Sequence, residues 1–214
     1  MLRFQLFGFP IVVHWMFWVT MAILGGAERA NSPRGVQLLL GWVLAGFVSI
    51  VIHELGHAFA MRRFGAKNVN ILLYGFGGLA QGNRWFSRWE DIIVSAAGPG
   101  VQIVAGFAFN LLFSSVGPSN AFLFSFAKAF YHVSIFWALL NLLPIIPLDG
   151  GHICRALLAS RQRLALIISI VFAVALGVYF LQQGSMLSGL FFGMMALNNW
   201  KELQGEPQIP MGGR

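Results

Sequence analysis

The sequence has few charged residues and almost no cysteine. Of its 214 residues, 10% are charged and 57% are hydrophobic, whereas a soluble domain carries about 25% charged residues. So few charges cannot cover the surface of a water-soluble globule of this length, and most of the chain must therefore be solvated by lipid. The single cysteine, Cys154, excludes an internal disulfide framework and a cysteine-based metal cluster.

Uncharged stretches recur along the chain and predict membrane helices, each of which needs about 20 apolar residues. Two of the stretches, 92–127 and 164–200, are too long for one helix, and turn-forming residues divide them at 114–120 and at 182–185. We therefore predict six spans. They lie in 4–27 (helical after Pro10), 35–61, 92–113, 122–143, 164–181 and 186–200.

Residues 69–81 differ from these spans. Strand formers at 69–74 are followed by the turn Gly75-Phe76-Gly77-Gly78, and 79–81 can return as a second strand. The sequence thus predicts an all-α polytopic membrane protein with six transmembrane helices and a short β-hairpin between the second and third. Residues 1–200 would form one membrane core, and 201–214, rich in proline and glycine, a disordered cytoplasmic tail.

The basic residues are unevenly distributed among the predicted loops. If the N-terminus is cytoplasmic and the six helices alternate, eleven of the fourteen Lys and Arg residues lie in cytoplasmic segments, as the positive-inside rule requires. The net charge of +7 then reflects topology and contact with anionic lipid, with no nucleic-acid partner. We expect an integral protein of a prokaryotic inner membrane with both termini cytoplasmic. A cleaved signal sequence at 1–27 is the weaker alternative, because Arg3 alone is a poor basic leader.

Two acidic residues, Glu54 and Asp149, lie inside or against apolar segments, where an ionisable group costs several kcal/mol and persists mainly when it has a partner or a task. Glu54 belongs to His53-Glu54-x-x-His57, whose two histidines fall on one helix face, one turn apart. Two imidazoles so placed can bind one Zn²⁺, with the carboxylate beside the open position. Chance occurrence is the alternative, but it is costly in a lipid-buried helix.

A catalytic zinc needs a third protein ligand. His14 and His132 are lone histidines within predicted spans, and interhelical hydrogen bonding is the simpler interpretation of each. Asp149 follows Pro144 and Pro147, which end the fourth helix. It can be the N-cap of a helix that begins near His152 or the anionic third ligand, and we favour the ligand, with His152 in reserve.

These motifs together resemble the site-2 protease family of intramembrane zinc metalloproteases. The resemblance rests on His53-Glu54-x-x-His57 in one helix and on Asn141-x-x-Pro144-x-x-Pro147-x-Asp149-Gly150 after another. It extends over most of the chain, including Pro10, His14-Trp15, the 75–78 turn and Ala97-Gly98-Pro99.

The resemblance implies one zinc ion bound by His53, His57 and Asp149, with Glu54 as the catalytic carboxylate and Asn141 holding the substrate or its oxyanion. The substrate would be a membrane protein cut within or near a transmembrane segment. Family members often have an asparagine where this chain has Gln102, so that residue's role does not carry over. The sequence has neither the PDZ domain nor the CBS pair of many relatives, and it resembles the bare membrane core, either naturally minimal or truncated.

Two other functions remain open at the level of sequence. A membrane zinc transporter could use His53, His57 and Asp149 as a transit site, but it would favour further acids or histidines along a pathway. An inactive relative that only binds membrane segments would not need Glu54.

Overall fold

The computed structural model describes residues 1–75, 77–113 and 120–206. The chain begins with two strands and then becomes mostly helical. In chain order the elements are β1 (Leu2–Leu6), β2 (Phe9–Val13), α1 (Trp15–Leu24), a 3-10 turn (Ala27–Arg29), α2 (Pro33–Arg63), β3 (Asn70–Tyr74), β4 (Gly77–Gln81), α3 (Arg88–Phe113), α4 (Ala121–Asn141), α5 (Asp149–Leu157), α6 (Gln162–Gln182) and α7 (Met186–Gln204).

Four of the described helices, α2, α3, α4 and α6, are long and apolar enough to cross a membrane. Many of their large hydrophobic side chains are exposed, as lipid contact requires; Leu111 is 74% exposed and Val104 68%. The structure therefore supports a membrane protein with four candidate spans. Six spans are not confirmed, because α1 has 10 residues, about 15 Å, and α7 is not among the four.

The N-terminal segment departs from the sequence prediction of a span at 4–27. Its first half forms a β-hairpin, β1–β2, in which Leu6 pairs with Phe9 across a two-residue turn. The turn residues Phe7 and Gly8 have φ of 52° and 80°, the left-handed backbone that matches the twist of paired strands. The sequence did not reveal this hairpin because residues 4–27 carry no charge, so the end of β1 and all of β2 run without a break into the apolar helix α1.

The predicted hairpin at 69–81 is confirmed as β3–β4, but it belongs to a larger sheet. The order is β1-β2-β3-β4, with β2 parallel to β3 and the other pairs antiparallel. Ile11 and Val13 pair with Ile71 and Leu73, and all four side chains are buried. Phe76 in the connecting turn lies outside the described residues, so β4 is described from Gly77 onwards.

The chain divides into two compact units, the first comprising residues 1–85 and 97–139. Here α2 begins at an N-cap, Ser32, whose Oγ accepts a hydrogen bond from the Gly35 N–H at 3.1 Å, and Pro33 follows at the first helical position. Gly41 of α2 faces the backbone of Phe122 so closely that a Cβ would overlap its carbonyl. Small residues thus let these membrane helices pack closely.

The second unit comprises 86–96 and the described residues from 140 onwards. Its helices α6 and α7 form an antiparallel pair joined at 183–185, where the sequence predicted a tight link. Their core contains Ile145, Leu148, Ala173, Phe192, Met195 and Ala196. Helix α7 runs to Gln204, so the predicted tail begins as helix, and 207–214 lie outside the described residues. Of the predicted break at 114–120, all but Asn120 also lies outside them. The domain boundaries stay a prediction.

Candidate active site

The His-Glu-x-x-His motif lies within α2, a single helix of 31 residues. Its side chains are enclosed by protein: His53 is 4% exposed, Glu54 4% and His57 1%. Burial of three polar residues in the middle of an apolar helix is costly unless each side chain is used. The helix therefore presents a compact polar group to the interior of the protein.

The two imidazoles face one another through the same ring atom. His53 Nε2 and His57 Nε2 are 3.0 Å apart, and the rings are nearly perpendicular, with centroids 4.7 Å apart. Two nitrogens about 2.0–2.1 Å from one tetrahedral zinc lie about 3.3 Å apart. The pair thus has the spacing of two ligands to one cation, as the i, i+4 pattern predicted.

Helix α3 crosses close to α2 at this level. A Cβ on Gly98 would overlap the imidazole of His57, and a Cβ on Gly56 would overlap the Ala97 carbonyl oxygen. Glycine, which has no Cβ, permits such a close approach of two membrane helices. Gly98 allows the backbone of α3 to lie directly against the proposed ligand His57.

One turn further along α3, Gln102 is completely buried. Its Oε1 lies 2.9 Å from His53 Nδ1, and its Nε2 donates to Ser49 Oγ at 2.9 Å. Ser49 Oγ in turn lies 2.9 Å from Ser134 Oγ of α4. Sequence reasoning assigned no role to this glutamine; a polar residue on an apolar helix was the signal that could have marked it.

Glu54 lies beneath the sheet. A Cβ on Gly78, in β4, would overlap the Glu54 carboxylate, so the strand backbone passes directly over this side chain. β4 is the last strand in the described sheet order. The glycine-rich hairpin therefore brings backbone, with no side chain between, against the carboxylate that the motif predicts to be catalytic.

Asn141 and Asp149 belong to the second unit. Asn141 is the last residue of α4 and is half-buried; Asp149, 6% exposed, is the first residue of α5. The helix thus begins three residues before the predicted start near His152, with Leu148 as its N-cap. A carboxylate in the first turn interacts favourably with the helix dipole.

In the loop before Asp149, both backbone polar groups of Ile146 are hydrogen-bonded to side chains. The Ile146 N–H donates to Ser169 Oγ at 2.8 Å, and the Ile146 carbonyl accepts from Asn199 Nδ2 at 2.8 Å. Asn199 is itself buried and also donates to the Met195 carbonyl. Helices α6 and α7 therefore determine the path of the chain into Asp149, a role that no local sequence pattern indicates.

The remaining histidines lie elsewhere. His14 caps α1, its Nδ1 accepting from the Met16 N–H at 3.3 Å, and His132 is exposed and its Nδ1 bonds the Lys128 carbonyl in its own helix. Within the part of the chain that the structure describes, neither makes the interhelical side-chain bond that the sequence suggested. His152 is half-buried in the first turn of α5, and its backbone N–H donates to the Leu148 carbonyl.

The side chains of His53, His57 and Asp149 are of the types that bind zinc. Neutral imidazole nitrogens and a carboxylate are the ligands that catalytic zinc sites use, and facing Nε2 atoms 3.0 Å apart are stabilised when a cation or proton lies between them. Glu54 adjoins the pair in sequence and can exchange a proton. The chemistry that such a group supports is metal-assisted hydrolysis.

Comparison with known proteins agrees with this chemistry. The model of peptidase family M50 matches residues 42–130 and 117–181. A zinc metalloprotease of Methanocaldococcus jannaschii is 28% identical over 158 residues, 74% of this chain and 45% of that protein. Stage IV sporulation protein FB of Bacillus subtilis is 34% identical over 183 residues, 80% of this chain and 57% of that protein. The chain spans about half the length of the curated relatives it matches.

Among solved structures, the site-2 protease from Methanocaldococcus jannaschii superposes with a TM-score of 0.67 at 23% identity, covering 94% of each chain. This likeness establishes the fold. The family model covers most of the chain, including the part of α2 that contains the His-Glu-x-x-His motif and the residues that lead into α5. The chain therefore belongs to peptidase family M50 and has the fold of a site-2 protease.

Proposed function

We propose that this chain is an intramembrane zinc metalloprotease that hydrolyses a peptide bond within or near a transmembrane segment of a membrane protein. The observation that carries the proposal is the buried His-Glu-x-x-His group of α2, whose two Nε2 atoms face each other at 3.0 Å. One zinc ion is held by His53, His57 and Asp149. Asp149 is preferred to His152 because it is more deeply buried and supplies the negative charge that two neutral imidazoles lack.

When bound, zinc lowers the pKa of a coordinated water to about 7 and polarises the scissile carbonyl. Glu54 takes the proton from the attacking water and delivers it to the leaving amine. The Asn141 side-chain amide donates to the carbonyl oxygen of the substrate as negative charge develops there. Burial of Glu54 strengthens its interaction with a nearby positive charge, because the surroundings screen it less than water does.

A helical substrate must unwind before attack, because its carbonyls are engaged in internal hydrogen bonds. The unwound segment adds as a strand beside β4, the last strand of the described sheet. Gly78 brings this strand against Glu54, so a segment paired there passes close to the base. The competing role of the hairpin, that it only covers the site, predicts that strand geometry in the substrate does not matter.

In the membrane, α1 and α7 complete six segments with the four candidate spans, and both termini are cytoplasmic. The distribution of Lys and Arg supports this orientation in a prokaryotic inner membrane. Replacing Cys154 by serine leaves a chain without cysteine, into which single cysteines can be placed at Arg3, Arg34 and Lys201. We expect the cysteine at position 34 to be labelled from the opposite side of the membrane to the cysteines at positions 3 and 201. Labelling of all three from the same side contradicts the topology.

The function is tested by Glu54→Gln, with Glu28→Gln, an exposed acid far from the motif in sequence, as the control. We expect Glu54→Gln to keep zinc and to lose cleavage, so that uncut substrate accumulates in the membrane. Proteomics of membranes from cells that express the variant and from wild-type cells measures this accumulation. Unchanged cleavage by Glu54→Gln ends the mechanism. Zinc flux into proteoliposomes without peptidase activity would instead identify a transporter, and a protein that never binds zinc would identify an inactive relative.

A further inference from the structure

The orientation of the buried Gln102 side chain follows from its neighbours. Its amide end lies 3.4 Å from the Ser49 carbonyl oxygen and 2.9 Å from Ser49 Oγ. A backbone carbonyl only accepts hydrogen bonds, so the NH₂ group must be the end that faces Ser49. The other end, Oε1, therefore faces His53 Nδ1 at 2.9 Å.

This orientation determines the tautomer of His53. An amide oxygen cannot donate, so the proton between Gln102 and His53 is carried by His53 Nδ1. In a neutral imidazole the other nitrogen, Nε2, is then unprotonated and carries a lone pair. That lone pair is the one directed towards His57 Nε2, 3.0 Å away.

The hydrogen-bond network also includes a third helix, α4. Ser49 Oγ accepts from the Gln102 amide, so its own proton is available to Ser134 Oγ, 2.9 Å away on α4. Ser49, Gln102 and Ser134 are each 0% exposed. A chain of hydrogen-bonded polar side chains thus connects α2, α3 and α4 and ends at His53; in its Ser49–Ser134 bond either hydroxyl can donate.

We propose that Gln102 is a positioning residue that holds His53 as the Nδ1–H tautomer, so that Nε2 is permanently presented to zinc, and that Ser49 and Ser134 lock the Gln102 amide in place. The inference rests on the proposed function, in which His53 is a zinc ligand. Partners of this kind fix ring orientation and ligand basicity, and their loss costs about 10–100-fold in metal affinity or activity.

The test measures zinc release from the full-length purified protein into excess chelator, together with the visible spectrum of the Co²⁺-substituted protein. Gln102→Met preserves the length of the side chain and removes the acceptor. Gln102→Glu preserves the acceptor and adds charge that raises imidazole basicity. His53→Ala is the reference for a lost ligand, and thermal unfolding of the metal-free proteins reports any structural damage.

We expect Gln102→Met to release zinc about 10–100-fold faster than wild type and to alter the Co²⁺ spectrum, whereas Gln102→Glu releases zinc no faster than wild type. Equal release by Gln102→Met and wild type overturns the positioning role, provided that His53→Ala loses the metal. The positioning role is also overturned if Gln102→Met releases zinc faster, Gln102→Glu does so too, and the metal-free variants are less stable to the same degree. Gln102 would then serve only to pack the core. Full zinc retention by His53→Ala refutes instead the proposed function on which the inference rests.

Discussion

Gly98 of α3 lies so close to the imidazole of His57 that a Cβ at this position would overlap the ring. Helix α3 also carries Gln102, which bonds the other histidine, His53. One helix therefore limits the position of both proposed histidine ligands, by close packing at one and by a hydrogen bond at the other.

The contact at Gly98 predicts a specific effect of a single methyl group. We expect Gly98→Ala to displace the His57 ring, accelerate zinc release by about 10-fold or more and lower activity accordingly, because metal sites tolerate deviations of only about 0.5 Å. Zinc content and release rate are the measurements. Gly100→Ala is the matched control, since a Cβ there meets no atom of the described residues within 4 Å. Equal zinc release by the two variants contradicts the prediction.

The contact between Gly78 and Glu54 predicts a defect in chemistry with the metal retained. Gly78→Ala places a Cβ where the carboxylate lies, and we expect kcat to fall by about 10²-fold, as misplacement of a reacting group by about 1 Å can cause. Zinc content should stay at the wild-type level.

Gly77→Ala controls for the extra methyl group, because among the described residues its Cβ would meet only Trp137, at 4.0 Å. The comparison requires kcat and zinc content for both variants. A Gly78→Ala protein with normal kcat would show that β4 does not determine the position of Glu54. One that has lost zinc would show that the contact with β4 affects more than Glu54.

The bonds at Ile146 predict that α6 and α7 stabilise the loop that leads into Asp149. Asn199→Leu leaves the Ile146 carbonyl without its described donor, and an unsatisfied buried group costs about 1–3 kcal/mol. We expect a lower thermal midpoint in detergent and faster zinc release. Ser169→Ala should act in the same direction, while Ser188→Ala, in the first turn of α7 where its Oγ accepts from Ser185 Oγ, should leave zinc release unchanged. Loss of stability without faster release would separate the loop from the metal site.

The environment of Cys154 predicts how the reactivity of its thiol depends on pH, and this test does not involve catalysis. Desolvation by burial raises the pKa of its thiol, so at neutral pH the protonated, unreactive form is favoured. We expect alkylation by iodoacetamide to be slower than that of N-acetylcysteine at pH 7.5, and to increase at pH values above the range in which the free thiol titrates. A rate profile that coincides with the free thiol would contradict this.

Much of the candidate site follows from local pattern. The i, i+4 spacing of His53 and His57 on one helix requires only that the segment be helical, and the apolar run around it ensures that. The β3–β4 hairpin was likewise visible as strand formers around a glycine-rich turn. The first predicted span was partly wrong because β1, β2 and α1 are together as long and as apolar as one membrane helix, and their separation depends on the Phe7-Gly8 turn and on pairing of β2 with the distant β3.

The sequence by itself determined the solvent, the class of chemistry and the three motif residues of α2, because scarcity of charge and helical spacing are local properties. Tertiary structure alone decided which groups surround that motif. Gln102 lies 49 positions from His53, and Asn199 53 from Ile146. Such hydrogen bonds, like the approach of Gly78 to Glu54, arise from helix crossing and strand pairing, which depend on packing over the whole chain.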